Sequence, residues 1–188
     1  MDLRTIKTRN ALFKSLESLL RTKSFEKITV QDICDKAIIN RVTFYNHYQD
    51  KYELFESYLD YVFEDVISSS TKGKQIDNAN DFFKSILYNV TKMLYDNKAI
   101  VKSLNNEDNS IIVYLIHSKI YKEMHNMVDT YFKNIEFRYN VDTITTFIIG
   151  GFTSLISETI INNKCEFDVF IKESNLLIDD ILSIIIKK

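Results

Sequence analysis

The sequence contains no proline and only three glycines, Gly73, Gly150 and Gly151, in 188 residues. A β-sandwich or barrel needs many turns built from glycine and proline, so this scarcity excludes an all-β fold. It favours long helices joined by a few polar connections. The same scarcity excludes the glycine-rich loops that cradle the phosphates of nucleotides.

Apolar residues recur at spacings of three and four along nearly the whole chain, which is the period of an α-helix. We therefore predict an all-α fold of about nine helices, at about residues 3–22, 30–36, 41–47, from 50 onward, 81–95, 98–104, 109–133, 141–162 and 167–187. Thr29 and Asn40 are expected to cap the two short helices that follow them. The polar stretch 68–80, which contains Gly73, is expected to form a loop or a frayed helix end.

Charge is distributed unevenly between the start of the chain and the rest. Residues 1–51 hold ten Lys and Arg against six Asp and Glu, whereas residues 52–188 hold fourteen against twenty. A basic N-terminal head on an acidic body suggests that the head meets an anion such as nucleic acid. An uneven scatter of surface charge is the alternative explanation.

The sequence offers no catalytic or metal-binding constellation, so we expect neither an enzyme nor a metal or cofactor. Cys34 and Cys165 are far apart and form neither a ligand spacing nor a disulfide framework. His117 and His125 are eight residues apart, which is no metal-ligand pair. No apolar run is expected to be long enough to span a bilayer, and we expect a cytoplasmic protein without a membrane partner.

Two short helices joined by about four residues are typical of a helix-turn-helix, and here they are Val30–Lys36 and Arg41–His47. The second helix has an N-cap and many polar side chains that can touch phosphates or base edges. Phe44 can turn inward and anchor this helix, and Phe25 is also expected in the core. This mixture is what a recognition helix needs.

These segments resemble the DNA-binding domain of the TetR/AcrR family of bacterial transcriptional regulators. The run from Phe25 to Ala37, FEKITVQDICDKA, resembles its first half, and Arg41 to Phe55, RVTFYNHYQDKYELF, resembles its recognition helix and the following turn. The similarity covers about residues 4–60. It implies a three-helix DNA-binding domain in residues 1–50, a linking fourth helix from residue 51, and a helical dimerisation and regulatory domain in residues 51–188.

The resemblance also implies DNA contacts at Thr29, Arg41, Val42, Thr43, Tyr45, His47, Tyr48 and Lys51. Tyr45, Tyr48 and Lys51 match positions that hold the DNA backbone. Thr29 is a phosphate contact or a plain N-cap, and Tyr48 is equally open to a place in the core. Val42, at a position that is often glycine, is either a contact to a thymine methyl or a harmless exposed residue.

Ile38 stands where the family usually has the glycine of the turn. A β-branched residue tolerates a positive φ poorly. We therefore expect the turn at Ile38 to differ from that of relatives.

The last two helices are apolar over more than one face, which predicts that a second copy of the chain covers them. The expected dimer interface contains Gly150, Gly151, Phe152, Leu155, Ile178 and Ile181. Residues 147–156 also look like the C-terminal domain of a subgroup related to the dihydroxyacetone-kinase operon activator.

The family resemblance implies a homodimeric repressor that binds a pseudo-palindromic operator and is released by a small-molecule effector. Candidate effector-pocket residues, each of which is also a candidate core residue, are Phe83, Tyr88, Tyr114, His117, Tyr121 and Met124. The alternative is a regulator of the same fold that a partner protein switches, as the activator-like subgroup suggests. A spacious pocket in the body would favour the first, and a filled core the second.

Overall fold

The computed structural model describes residues 3–71, 79–104, 110–133, 135–162 and 164–187. Across these ranges no strand forms beyond an isolated bridge between Phe137 and Ile186, so the all-α prediction is confirmed. A 3₁₀ turn covers Phe25–Lys27. The described helices are α1 (Leu3–Leu20), α2 (Val30–Ala37), α3 (Arg41–Tyr45), α4 (Lys51–Thr71), α5 (Ala79–Asp96), α6 (Lys98–Leu104), α7 (Ser110–Tyr131), α8 (Val141–Asn162) and α9 (Phe167–Ile185).

Side-chain caps fix where the short helices begin, which matters because helices of five to eight residues are not stable alone. At α2, Thr29 Oγ1 accepts a hydrogen bond from the Asp32 amide at 3.1 Å, and the Asp32 carboxylate accepts from the Thr29 amide at 2.8 Å. At α3, Asn40 Oδ1 accepts from the Val42 amide at 2.9 Å. Both predicted caps are confirmed.

Of the two alternatives for residues 68–80, the helix end matches the start of the stretch, because α4 continues to Thr71. In this last turn two hydroxyl groups donate back to helix carbonyls: Ser70 Oγ to Val66 O at 2.8 Å and Thr71 Oγ1 to Ile67 O at 2.9 Å. Residues 72–78, with Gly73, lie outside the described residues. The helix resumes with α5 at Ala79.

Residues 1–63 and 99–116 form one compact unit. Its core is built on the apolar face of α1, where Leu12, Leu16 and Leu20 are fully buried. Burying a side chain of this size stabilises the fold by about 1.5–3 kcal/mol. The core residues contributed by the 3₁₀ turn and helices α2 to α4 include Phe25, Ile33, Phe44, Leu54 and Phe55, so the predicted burial of Phe25 and Phe44 is confirmed.

Residues 64–98 and 117–188 form a second compact unit. Near the start of α5, Lys84 Nζ lies 2.6 Å from Asp179 Oδ1 in the second half of α9. Near the end of α5, the Tyr95 ring lies 5.2 Å from the ring of Phe167, the first residue of α9. The two helices are therefore antiparallel. The functional division of the chain at residue 50 stays a prediction.

Candidate DNA interface and regulatory surfaces

Helix α3 and its C-cap residue Asn46 bury one side chain in the core and expose four others. Phe44 is fully buried, whereas Val42 is 68% exposed and Tyr45 49% exposed. Arg41 and Asn46 are exposed on the same outward side. We call these four outward residues, Arg41, Val42, Tyr45 and Asn46, the recognition face. It presents a guanidinium, an aliphatic group, a phenol and an amide, which together can contact phosphates and base edges.

Arg41 leans along the recognition face toward Tyr45. Its Nη2 lies 3.4 Å from the Tyr45 hydroxyl, and its guanidinium carbon lies 5.8 Å from the centre of the Tyr45 ring. The hydrogen bond to Tyr45 raises the pKa of Arg41, so this side chain is cationic at all physiological pH values. The recognition face therefore carries a permanent positive charge.

Three predicted DNA contacts in and after α3 are less exposed than the recognition face. Thr43 and His47 are half-exposed and flank the recognition face. Tyr48 is only 8% exposed, and its ring lies 6.0 Å from that of Phe44. Its hydroxyl lies 3.4 Å from Ser57 Oγ. Of the two interpretations left open for Tyr48, the core one matches this geometry for the ring.

Lys51 is held by the fold itself. Its ammonium donates to the carbonyl oxygens of Phe25, Glu26 and Ile28, each at 3.0 Å, and lies 4.7 Å from the centre of the Phe25 ring. Burial lowers the pKa of Lys51. All three ammonium protons are used, so the side chain ties the start of α4 to the 3₁₀ turn. This position differs from the phosphate contact that the resemblance implies, because no N–H of Lys51 is left for DNA.

Thr29 functions as the N-cap of α2, and a carboxylate accompanies it. Besides the reciprocal backbone bonds, the Thr29 hydroxyl donates to Asp32 Oδ2 at 2.8 Å, and Lys23 Nζ lies 3.0 Å from Asp32 Oδ1. The bond from the Thr29 amide and the bond from Lys23 hold the pKa of Asp32 at about 2. A phosphate at the start of α2 would meet this charged group. The capping role therefore accounts for Thr29 without DNA.

Ile38 adopts the left-handed backbone that a glycine would adopt. Among the described residues other than glycine it alone has a positive φ, at φ 57° and ψ 45°. The expectation that the turn would differ in geometry is wrong. The cap still forms, because the Ile38 amide donates to the Asp35 carbonyl at 3.3 Å and the Ile39 amide donates to the Cys34 carbonyl at 3.0 Å. The Ile38 side chain is 94% exposed. The left-handed backbone at this residue costs about 1–2 kcal/mol.

Sequence reasoning did not single out three exposed residues of the same unit as candidate sites. Two of them, Lys27 in the 3₁₀ turn and Lys36 in the last turn of α2, are exposed cations, whereas the third, Asn46, was expected only as one of several polar groups of the recognition helix. The basic balance of residues 1–51 includes both lysines, but no motif distinguishes them from other surface lysines.

The comparison with known families agrees with this geometry. Residues 12–58 match the family described as bacterial regulatory proteins, TetR family, and this segment contains α2, α3 and the recognition face. The match covers about a quarter of the chain, and this segment is similar to the TetR family.

An uncharacterized HTH-type transcriptional regulator of Bacillus subtilis (strain 168), YxbF, is 36% identical over 72 residues, which is 38% of this chain. The chain spans about a fifth of the length of that relative, at 19%. The similarity is therefore local.

Solved structures of TetR-family regulators share the fold over nearly the whole chain. The dihydroxyacetone kinase operon activator DhaS has a TM-score of 0.60 at 20% identity, covering 95% of this chain and 98% of that one. A TetR-family regulator from Syntrophomonas wolfei has a TM-score of 0.72 at 12% identity, covering 93% and 94%. One from Streptococcus agalactiae has a TM-score of 0.60 at 21% identity, covering 93% and 95%.

An apolar cleft lies between α5, α7, α8 and α9 in the second unit. Phe83 and Met124 line it together with aliphatic side chains, and the hydroxyl-bearing Thr145 is its polar residue. It encloses about 20 Å³, which is room for about one water molecule. The remaining predicted pocket residues do not line this cleft, because they lie on outward helix faces: Tyr88, Tyr114, His117 and Tyr121.

Helices α8 and α9 expose apolar side chains on their outer faces. We call these residues the apolar stripe: Phe147 and Leu155 of α8, with exposed fractions of 73% and 44%, and Leu176, Leu177 and Ile184 of α9, with 58%, 40% and 55%. Gly150 and Gly151 lie between the first two and have no other described atom within 4 Å of where a Cβ would stand.

Three of the residues predicted at the dimer interface are not exposed on the outer faces of α8 and α9. Ile178 is 6% exposed because it belongs to the core of the chain itself, and Phe152 and Ile181 are half-buried. By length and composition alone, Val141–Ile160 of α8 is apolar enough to cross a bilayer. Helices that pack between other helices have the same composition, so this property does not identify a membrane span.

Proposed function

We propose that this chain is a homodimeric repressor of the TetR family that acts in the bacterial cytoplasm and is released from DNA by a small-molecule effector. Each protomer inserts the recognition face into the major groove of one half of a pseudo-palindromic operator. The observation that carries the proposal is the arrangement of α3. Phe44 is fully buried, and Arg41 and Tyr45 point outward. Double-stranded DNA is the partner, and no cofactor is required.

Loss of the recognition face tests DNA binding directly. We expect Tyr45→Ala to weaken binding to the DNA upstream of its own gene at least tenfold, because the phenol and its contact to Arg41 are lost together. Tyr139→Ala is the matched control, since Tyr139 is similarly exposed at 56% and lies in the second unit. Fluorescence anisotropy at moderate salt measures both. Equal affinities for the two variants would contradict the proposal.

Salt dependence distinguishes a phosphate contact from a positioning role. The logarithm of the DNA-binding constant falls linearly with the logarithm of the salt concentration, and each neutralised phosphate adds about 0.9 to the size of this slope. Replacing the exposed Lys36 by Met should lower the slope by about 1 per protomer if that lysine contacts a phosphate. Lys51→Met should leave the slope unchanged, because the Lys51 ammonium is bound to three carbonyl oxygens. A lower slope for Lys51→Met would support the phosphate contact instead.

A second copy of the chain is the proposed cover of the apolar stripe. The paired glycines support this proposal, because a helix that lacks Cβ atoms allows another helix to approach closely. Two identical stripes related by a two-fold axis also place two recognition faces symmetrically, as a palindrome requires.

A charge placed in the stripe tests the dimer. Phe147→Asp is expected to convert the protein to monomers in size-exclusion chromatography with light scattering, because an aspartate cannot be buried unpaired at the interface. Leu3→Asp is the matched control, since Phe147 and Leu3 are both 73% exposed. A dimer that survives Phe147→Asp at micromolar concentration would contradict this interface.

The size of the apolar cleft supports a second candidate, in which a partner protein switches the regulator. A metabolite cannot enter about 20 Å³ unless α5, α7, α8 and α9 move apart. A small molecule that raises the melting temperature and releases the DNA would support the effector, whereas switching only by the product of a neighbouring gene would support the partner protein.

A further inference from the structure

Val42 is unlike the other residues of the recognition face, because its side chain has no polar atom. It is 68% exposed in the first turn of α3, and the bond from its amide to Asn40 Oδ1 at 2.9 Å fixes it there. Recognition helices contact base edges with residues of their first turns. An isopropyl group can form no hydrogen bond to a phosphate or to the polar edge of a base.

The major groove offers an aliphatic side chain one matching group, the C5-methyl of thymine. The neighbouring Arg41 has the opposite preference, because its guanidinium forms a bidentate pair with O6 and N7 of guanine. Its contact to the Tyr45 hydroxyl is long, at 3.4 Å, and leaves most of its N–H groups available. Arg41 and Val42 both lie in the first turn of α3, so they are expected to reach the same short stretch of a major groove.

We propose that Arg41 and Val42 set the sequence preference of the operator by reading two neighbouring base pairs in each half-site. Arg41 donates to O6 and N7 of a guanine. Val42 packs against the C5-methyl of a thymine in the adjacent pair. This inference rests on the proposed DNA binding and assigns base reading to two residues of the recognition face, leaving Tyr45 and Asn46 for the backbone.

Removing one methyl group from the DNA tests the contact of Val42. Half-sites are first obtained by selection of the wild-type protein on random double-stranded DNA, and each thymine is then replaced in turn by uracil, which keeps base pairing. At one thymine position in a half-site the wild type should bind about fourfold more weakly with uracil. Val42→Ala should show a smaller difference between the thymine and uracil duplexes than the wild type, because its shorter side chain covers less of the methyl group, whereas the matched control Val113→Ala should retain the wild-type difference.

Removing one acceptor atom tests Arg41 in the same duplexes. Replacing guanine by 7-deazaguanine beside the sensitive thymine should weaken the wild type about tenfold and leave Arg41→Ala unaffected. Both side chains are exposed, so these variants are expected to fold, and the base substitutions test the wild-type protein in any case.

The possible outcomes separate this inference from the proposed function. Sequence-preferring binding with no uracil-sensitive thymine, or with equal sensitivity in Val42→Ala, overturns the inference and leaves the regulator in place. A selected half-site without thymine next to guanine also overturns it. Failure to select any preferred sequence refutes the proposed function itself.

Discussion

The left-handed backbone at Ile38 leads to an unusual prediction, that replacing an isoleucine by glycine stabilises the protein. A residue with a Cβ atom loses about 1–2 kcal/mol in this conformation, and a β-branched residue is at the upper end. The side chain is 94% exposed, so its removal sacrifices almost no packing. Glycine adds about 0.5–1 kcal/mol of conformational entropy to the unfolded chain. The net expected gain in the free energy of unfolding is about 1 kcal/mol.

Circular dichroism at 222 nm during heating measures this gain, which corresponds to about 2–4 °C in a chain of this length. Ile38→Asn should gain a similar amount, since asparagine tolerates the left-handed region. Val113→Gly is the control within a helix, and it should destabilise the protein because glycine weakens a helix interior. If Ile38→Gly destabilises the protein as Val113→Gly does, then the strain assigned to Ile38 is absent.

Three further predictions concern the same unit. Lys51→Met is expected to lower the free energy of unfolding by about 2 kcal/mol, since three carbonyl oxygens lose their donor, whereas Lys27→Met on the surface should change it by less than about 0.5 kcal/mol in urea unfolding. Thr29→Ala should cost about 1 kcal/mol through loss of the cap, and an unchanged melting temperature would contradict the capping role. The pKa of Asp32 is about 2 in the folded state against an ordinary value of 3.8, so its stabilisation is complete above about pH 4 and is lost as the pH falls toward 2. Asp32→Asn should remove this part of the acid dependence of stability, and an identical acid profile would count against it.

Much of the DNA-binding unit could be predicted from local sequence. Thr29 and Asn40 cap helices through bonds to amides two or three residues away, so the signal lies within one turn. In α3, Phe44 is the largest side chain without a polar atom, and its burial follows from this pattern. Ile38 shows the limit of such reasoning, because the tertiary context holds the turn in a geometry that its own side chain disfavours.

Features that depend on contacts distant in sequence could not be predicted. Lys51 reaches carbonyls 23 to 26 residues earlier in the chain, and no local pattern indicates this contact. In α9, Ile178 and its neighbour Leu177 are equally apolar, yet one is buried and the other exposed, because packing against α5 and α8 decides the inward face. Phe83 and Tyr114 were both predicted to line a pocket, because an aromatic residue at helical spacing does not show which helix face points inward. Of these two, only Phe83 lines the cleft.

Hydroxyl-radical footprinting of the wild-type protein on the DNA upstream of its own gene tests the central claim most directly. A homodimer that inserts two recognition faces should protect two patches on one side of the duplex, with centres one helical turn or a multiple of it apart and related by two-fold sequence symmetry. Tyr45→Ala should erase both patches together. A single unsymmetrical patch, or no protection at a protein concentration where the dimer is populated, would contradict the account.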